Sequence, residues 1–194
     1  MVNAHKNKAM IIILSAPSGG GKSSIAEKLL LQDSKLALSV SATTRPARPD
    51  EKESVHYFFK TKEEFNKMIN SGDFLEHAEI YGNLYGTPSL YVEYMLAQGR
   101  DVLFDIDSQG AYQIIKQMKN RVVSIFIIPP DIKTLQTRLE ARNQDSNEVI
   151  EERIKLAKDE ITHAKNYDYI VVNDNFDEAV AEIQDIINKE RIKR

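Results

Sequence analysis

Apolar residues along the chain follow two alternating patterns. Short continuous apolar runs predict strands buried on both faces, and they lie at Met10–Leu14, Val102–Ile106, Val122–Ile128 and Tyr169–Val172. Between them, apolar residues recur every three or four positions, which is typical of helices. These helical segments are Ser23–Gln32, Asp131–Arg142 with Asp131 as its N-cap, Ile150–Ala164 and 179–187. Strands that alternate with helices predict an α/β fold, a three-layer core around a parallel sheet.

One region interrupts this alternation, from Leu38 to about Tyr94. It combines short extended stretches, His56–Phe59 and Phe74–Ile80, with one predicted helix. That helix begins at Thr61, and a glutamate three residues later completes a capping box. The pattern predicts a small mixed α+β insertion whose polar and aromatic turns suit a binding lobe.

Composition narrows the classes of protein that this chain can represent. Its 194 residues suffice for one compact domain, or for one core with small appendages. The absence of cysteine excludes disulfides, cysteine–zinc sites, iron–sulfur clusters and thiol nucleophiles. Lys and Arg number 26 against 29 Asp and Glu, a net charge of −3, so we expect no nucleic-acid partner. A bound anion must therefore be held by a local group of cations.

No segment of the chain predicts a membrane partner. The apolar run Met10–Leu14 is far shorter than the roughly 20 residues of a spanning helix. It is also too short for the apolar region of a signal peptide, and glycines and a lysine follow it at once. We therefore expect a cytoplasmic protein; its oligomeric state, monomer or homodimer, is left open.

A glycine-rich loop joins the first predicted strand to the first predicted helix. It comprises Ala16, Pro17, Ser18, Gly19, Gly20, Gly21, Lys22, Ser23 and Ser24. In this position it matches a P-loop, whose main-chain N–H groups and helix end bind the phosphates of a nucleoside triphosphate such as ATP. Lys22 would bridge the β- and γ-phosphates, and Ser23 would hold Mg²⁺. Ala16 stands where the first glycine is usual, so a positive φ there would strain the loop.

Two arginines three residues apart indicate a second anion site. Arg45 and Arg48 precede Tyr57, and guanidinium groups together with a phenol can bind a phosphate through several donors. A solvated basic turn is the alternative explanation for such a pair. Further along the chain, Asp105 and Asp107 end a predicted buried strand, where carboxylates beside a P-loop commonly serve Mg²⁺ directly or through water.

Together these motifs resemble those of the guanylate kinase family from about Met10 to Val180, nearly the whole chain. The resemblance implies a P-loop kinase that transfers phosphate from ATP to GMP, with Mg²⁺. The motifs in order are 16–24, Ser41–Arg48 with Tyr57, 72–76, 81–87, Asp105–Gly110, Arg138–Arg142 with Arg153, and 171–174.

The resemblance also implies roles for individual residues. The GMP-binding residues would be Ser41, Arg45, Arg48, Tyr57, Glu76, Tyr85, Thr87 and Asp107. Of these, Glu76, Ser41 and Thr87 would bind guanine, because a carboxylate accepts from its two N–H donors and hydroxyls donate to O6. The catalytic residues would be Lys22, Arg45, Arg138, Arg142 and Arg153, and Asn173 would lie near adenine. Asp107 is a second candidate for Mg²⁺, through water.

The same resemblance divides the chain into three parts. The P-loop core would comprise residues 1–40, 95–137 and 156–194, the GMP-binding domain 41–94, and a helical lid 138–155. Three positions depart from the family pattern where glycine is usual: Ala16, Ser54 and Asn143. None of them removes a charge or donor that the chemistry requires.

Two other functions are compatible with this scaffold. A ribose bisphosphate kinase would not need Glu76 together with Tyr85 and Thr87. A non-catalytic module that binds phosphorylated peptides would lack a working ATP site, whereas Lys22 and Ser23 are present here. The presence of these residues favours guanylate kinase over both alternatives.

Overall fold

The computed structural model describes residues 9–80, 82–141 and 146–194. The strands are β1 (Ile11–Ser15), β2 (Leu36–Leu38), β3 (Ala42–Thr43), β4 (Phe58–Phe59), β5 (Phe74–Ile80), β6 (Asn83–Pro88), β7 (Asp101–Asp105), β8 (Val122–Ile128) and β9 (Tyr169–Val172). The helices are α1 (Lys22–Gln32), α2 (Lys62–Ser71), α3 (Ser89–Ala97), α4 (Ser108–Met118), α5 (Ile132–Ala141), α6 (Asn147–Thr162) and α7 (Phe176–Ile192).

The central sheet has the order β2-β7-β1-β8-β9, and all its neighbouring strands are parallel. β1 lies in the middle and is buried along its whole length. Successive side chains of β1 point to opposite faces, so Ile12 and Leu14 join one apolar cluster while Ile11 and Ile13 join the other. Helices α1 and α7 cover the first face, and α3 and α4 cover the second. The predicted three-layer α/β core is confirmed.

The predicted insertion contains a second, mixed sheet with the order β4-β3-β6-β5. β3 and β4 pair in parallel, whereas β6 is antiparallel to both β3 and β5. Helix α2 begins with the predicted capping box of Thr61 and Glu64. Phe65 of this helix stacks on Phe74 of β5, with ring centroids 4.5 Å apart, which fixes the helix against the sheet.

The prediction of one helix between Leu38 and Tyr94 is wrong, because α3 begins in the same region. The α3 sequence, SLYVEYMLA, has no clear polar face, so periodicity did not reveal it. Val92 is fully buried against the central sheet, while Leu90 and Tyr94 are exposed. Helix α3 therefore packs on the core although it directly follows the second sheet.

Helices α5 and α6 share a small apolar core of their own, formed by Leu135, Leu139, Ile150 and Ala157. The predicted N-cap at Asp131 is present, with its carboxylate accepting from the Thr134 N–H at 2.6 Å. Within the described ranges, no helix is long and apolar enough to cross a membrane.

Candidate active site

The glycine-rich loop leaves the first N–H groups of α1 without a side-chain cap. Gly21 is the N-cap residue and supplies no side chain; α3 and α6 also lack a capping side-chain hydrogen bond, whereas α2, α4 and α7 have one. Gly19 and Gly21 have φ values of 87° and 89°, conformations that favour glycine. Uncapped N–H groups at a helix start form an anion site, so the loop has the geometry that a bound phosphate requires.

The expected strain at Ala16 does not arise. Among the described non-glycine residues, only Ser54 has a positive φ, of 62°. Ala16 therefore adopts an ordinary conformation, and its side chain packs against the apolar cluster under α1 and α7. Of these two departures from the family's glycines, the one at Ser54 falls at a conformation that disfavours a side chain.

Lys22 connects the P-loop to the end of the neighbouring strand β7. Its Nζ lies 2.8 Å from Asp105 Oδ1 and donates to the Ile106 carbonyl oxygen at 2.8 Å. Because β1 and β7 are adjacent and parallel, their carboxyl ends meet at one edge of the sheet. This geometry places the loop cation beside the strand-end carboxylate of Asp105.

The oxygen atoms in this corner fit the chemistry of Mg²⁺. Ser23 is exposed in the first turn of α1, and Asp107 caps α4 just after β7. Among the described residues, no three His, Cys, Asp or Glu side chains converge on a metal site. A hydroxyl with one or two carboxylates suits an ion that keeps its waters and binds substrate phosphates.

A buried carboxylate lies in the second sheet. Glu76 is only 6% exposed, and its Oε1 accepts from the Thr87 hydroxyl at 2.7 Å. The Ser41 hydroxyl lies 3.3 Å from that of Thr87, so the three predicted guanine-binding side chains are contiguous. Burial raises the pKa of Glu76; the hydrogen bond from Thr87 opposes the rise, and the nearby charge of Asp107 adds to it.

Helix α4 approaches this carboxylate closely. A Cβ atom at Gly110 would lie 2.8 Å from Glu76 Oε2, so a side chain there would displace the carboxylate. Gly110 N–H also donates to Asp107 Oδ1 at 2.8 Å. The first turn of α4 therefore brings Asp107 and Glu76 into one site, as the resemblance predicts.

The second predicted anion site lies beside the mixed sheet. Arg45 Cζ is 5.5 Å from the centroid of the Tyr57 ring, and that ring contacts Tyr85 at 6.1 Å between centroids. Arg48 is exposed, and its main chain bonds to Glu51. Three of the four residues predicted to bind the GMP phosphate thus touch one another, while the Arg48 side chain faces solvent.

Glu51 also contacts this cluster, although no motif in the sequence indicated a role for it. Both of its carboxylate oxygens accept from Arg45 Nη2, at 2.7 and 2.9 Å. A single acidic residue in an exposed turn carries no periodic signal. Its position three residues after Arg48 was the only available indication.

A cleft of about 390 Å³ opens beside the P-loop. Its lining includes Gly19, Gly21, Ser24, Arg138, Asn173 and Phe176. Asn173 Nδ2 donates to the Gly20 carbonyl oxygen at 2.9 Å, which orients the amide and leaves the buried Oδ1 without a hydrogen-bond partner among the described residues. This oxygen is a buried acceptor beside the cleft.

Two of the predicted lid arginines reach the nucleotide loop or its cleft. Arg138 Nη2 donates to the Asn173 carbonyl oxygen at 2.9 Å, and Arg153 Nη1 donates to the Ser18 hydroxyl at 3.2 Å. The P-loop also touches α5, because a Cβ at Gly19 would meet Leu135 at 2.9 Å. Arg142 and the departure at Asn143 lie outside the described residues.

An uncapped P-loop on a parallel sheet, with a lysine against strand-end carboxylates, defines a P-loop nucleotide-binding protein of the α/β class. The family model for guanylate kinase matches residues 8–190. The chain belongs to the guanylate kinase family.

Individual relatives agree with this assignment. The chain is 53% identical over 189 residues to guanylate kinase of Rickettsia bellii (strain RML369-C), covering 97% of this chain and 98% of that protein. It is 51% identical to guanylate kinase of Mesorhizobium japonicum (strain LMG 29417 / CECT 9101 / MAFF 303099), covering 97% and 87%. The crystal structure of guanylate kinase from Anaplasma phagocytophilum matches with a TM-score of 0.77 and 37% identity, covering 95% and 87%. The predicted guanylate kinase function is confirmed over the two alternatives.

Proposed function

We propose that this chain transfers the γ-phosphoryl group of ATP to GMP with the two sites described above. ATP would bind at the P-loop, and GMP would bind against the mixed sheet. The observation that carries this assignment is the buried Glu76, held by the Thr87 hydroxyl at 2.7 Å. Burying a carboxylate is costly, and guanine would supply two N–H donors for it in addition to the Thr87 hydroxyl.

Recognition of guanine follows from this donor pattern. Glu76 would accept from N1–H and the 2-amino group, and the Ser41 hydroxyl would donate to O6. The Thr87 hydroxyl has one proton, which it donates to Glu76, so Thr87 would orient the carboxylate and would reach O6 as a donor only by giving up that bond. Adenine has no proton at N1, so the carboxylate would face a lone pair. A buried polar site left unpaired rejects the wrong ligand by about 10⁴-fold.

The phosphate of GMP would bind to Arg45, Arg48, Tyr57 and Tyr85. Arg45 and both tyrosines already form one contiguous cluster, and the exposed Arg48 side chain has room to turn toward a ligand. Guanidinium forks suit a phosphate because they donate in pairs.

On the ATP side, the residues of the loop 16–24 would surround the phosphates, with Lys22 at the β- and γ-phosphates. Ser23, and Asp107 through water, would hold Mg²⁺, which supplies charge neutralisation across the phosphate oxygens. Asn173 lines the cleft beside the P-loop and would lie near the adenine.

Phosphoryl transfer would need little acid–base chemistry. The attacking oxygen of GMP is already anionic near neutral pH, so no strong base is required. Arg138 and Arg153 would bring positive charge to the transferring group together with Arg142, and Lys22 would stabilise the charge that develops there. Alignment of the two nucleotides and exclusion of water by the lid supply the rest.

We retain the division into a core, a GMP-binding domain (41–94) and a lid (138–155) as part of this proposal. Two sheets and the separate small core of α5 and α6 support it. A cytoplasmic location also belongs to the proposal.

A coupled assay of ADP release with Mg·ATP tests the proposed function directly. GMP, dGMP, AMP, UMP and ribose 1,5-bisphosphate are compared as acceptors. We expect turnover with GMP and little with AMP or UMP. Turnover with the sugar phosphate alone would keep the P-loop assignment and contradict the assignment of Glu76.

A further inference from the structure

Glu51 ties together the two arginines assigned to the GMP phosphate. Its two carboxylate oxygens accept from Arg45 Nη2 at 2.7 and 2.9 Å, and its Oε2 also accepts from the Arg48 N–H at 2.8 Å. Its own N–H donates to the Arg48 carbonyl oxygen at 3.0 Å. One side chain thus holds the guanidinium of the first arginine and the main chain of the second.

The ion pair is shielded although the segment around it is exposed. The side chains of Arg45 and Glu51 are 17% and 15% exposed. The hydrogen bond to Glu51 raises the pKa of Arg45, and the same bond lowers the pKa of Glu51, so both groups are charged at neutral pH. The pair therefore acts as a fixed charged contact.

The contacts leave part of the Arg45 guanidinium available to a ligand. Besides the bonds from Nη2 to Glu51, Nη1 donates to the Pro46 carbonyl oxygen at 2.7 Å, and the group lies over the Tyr57 ring. An arginine carries more N–H donors than these bonds use, so a phosphate can bind without displacing the carboxylate.

We propose that Glu51 is a positioning residue for GMP binding, which orients the Arg45 guanidinium and fixes the 45–51 turn that carries Arg48. This role rests on the proposed function of Arg45. A free arginine must be immobilised when it binds a phosphate, and that ordering costs affinity. Because Glu51 orders the side chain beforehand, GMP binding avoids much of that cost.

Charge alone predicts the opposite effect of Glu51. A carboxylate near the site repels the phosphate of GMP, so a purely electrostatic role would make its removal favourable to binding. The two roles therefore differ in the sign of the change in KM for GMP.

The test measures KM for GMP, KM for ATP and kcat for Glu51→Ala and Glu51→Gln. We expect Glu51→Ala to raise KM for GMP about three- to tenfold, with kcat and KM for ATP nearly unchanged. Glu51→Gln keeps an oxygen for the Arg48 N–H but loses the ion pair. We therefore expect its KM for GMP to lie between that of the parent protein and that of Glu51→Ala. It also serves as the folded comparison if the alanine variant is unstable.

Asp50→Asn is the matched control, because Asp50 is an exposed neighbour whose removal changes the local charge equally. We expect its KM for GMP to stay equal to that of the parent protein or to fall. If KM for GMP in Glu51→Ala and Glu51→Gln were equal to or lower than that of the parent protein, the positioning role would be overturned.

A double-mutant cycle with Arg45→Ala separates action through Arg45 from general damage. Once Arg45 is absent, adding Glu51→Ala should raise KM for GMP less than it does in the parent protein, because only the contact of Glu51 with the Arg48 main chain is then lost. A full effect in that background would contradict the proposal. Absence of GMP turnover by the parent protein would instead refute the proposed function, so the two failures are distinguishable.

Discussion

The two proposed phosphate sites of this molecule are built in different ways. At the P-loop the donors are main-chain N–H groups at the uncapped start of α1, directly after the fully buried β1. At the proposed second site the donors would be side chains from the turn after β3, from the residue before β4 and from β6, and Arg45 among them is held by its ion pair with Glu51. Packing orders the first site, and charge pairing orders the second.

This difference predicts which kinetic constant each site controls, kcat or KM for GMP. The P-loop follows β1 of the central sheet, and Lys22 contacts Asp105 at the end of β7, so in the proposed function these residues would act on the transferring group. The mixed sheet carries the residues that would select and hold the acceptor. Substitutions in the first site should therefore alter kcat, whereas substitutions in the second should alter KM for GMP.

The largest expected effect lies at Lys22. Lys22→Ala should lower kcat about 10²- to 10³-fold, because it removes the charge at the β- and γ-phosphates. The measurement is kcat at saturating ATP and GMP, with the melting temperature as a check of folding. Lys28→Ala on the same helix is the control. A kcat of Lys22→Ala equal to that of the control would remove Lys22 from the chemical step.

The next largest effect concerns the binding of guanine by Glu76. Glu76→Gln should raise KM for GMP about tenfold or more and leave KM for ATP unchanged, since a hydrogen bond to a charged group is lost. Glu79→Gln, on an exposed position of the same strand, should change neither value. Equal increases of both KM values in Glu76→Gln would mean that Glu76 does not bind guanine.

Acid pH should weaken GMP binding through the same carboxylate. The folded protein holds the pKa of Glu76 above its ordinary value, so protonation, and with it loss of the guanine contacts, begins at a higher pH than for an exposed glutamate. KM for GMP should therefore rise as pH falls through this raised pKa. GMP itself titrates near pH 6, and Glu76→Gln retains only that dependence. Identical pH profiles for the two proteins would contradict the assignment.

Gly110→Ala should act on the same carboxylate from the neighbouring helix. Its Cβ would lie 2.8 Å from Glu76 Oε2 and would push that oxygen away from guanine. We expect KM for GMP to rise about fivefold, with the melting temperature little changed, because alanine favours a helix over glycine. An unchanged KM would show that Glu76 can move without losing the base.

The smallest effects distinguish Ala16 from Ser54, the two departures from the family's glycines that lie within the described residues. Ser54→Gly should stabilise the fold by about 0.5 kcal/mol, because it relieves the positive φ of 62° at the cost of a more flexible unfolded chain. Ala16→Gly should destabilise it by about 0.5–1 kcal/mol, since Ala16 is unstrained. Chemical denaturation measures both, and equal signs would contradict the backbone assignment.

Much of the central sheet could be predicted from the sequence, because strands buried on both faces are continuously apolar. Val122–Ile128 and Tyr169–Val172 form β8 and β9 with the predicted bounds, and β1 is shifted by one residue. Helix α3 could not be predicted in this way, because its two faces differ little in polarity. Hydrophobic periodicity reveals a helix only where one of its faces is polar.

The site could be predicted as far as local motifs extend. The P-loop is a continuous stretch, so its role follows from residues next to one another. The pairing of Lys22 with Asp105 and the approach of Gly110 to Glu76 join residues far apart in the chain, and only the fold brings them together. Glu51 was missed for another reason: one acidic residue in a turn has no pattern that marks its partner.

Equilibrium binding tests the central claim most directly. Titration calorimetry would measure the affinity of GMP, and separately of Mg·ATP, for Lys22→Ala and Glu76→Gln. We predict that Lys22→Ala binds GMP as tightly as the parent protein although it turns over slowly, and that Glu76→Gln loses affinity for GMP alone. If Lys22→Ala lost GMP affinity, or if Glu76→Gln lost affinity for both nucleotides equally, the separation of the two sites would be contradicted.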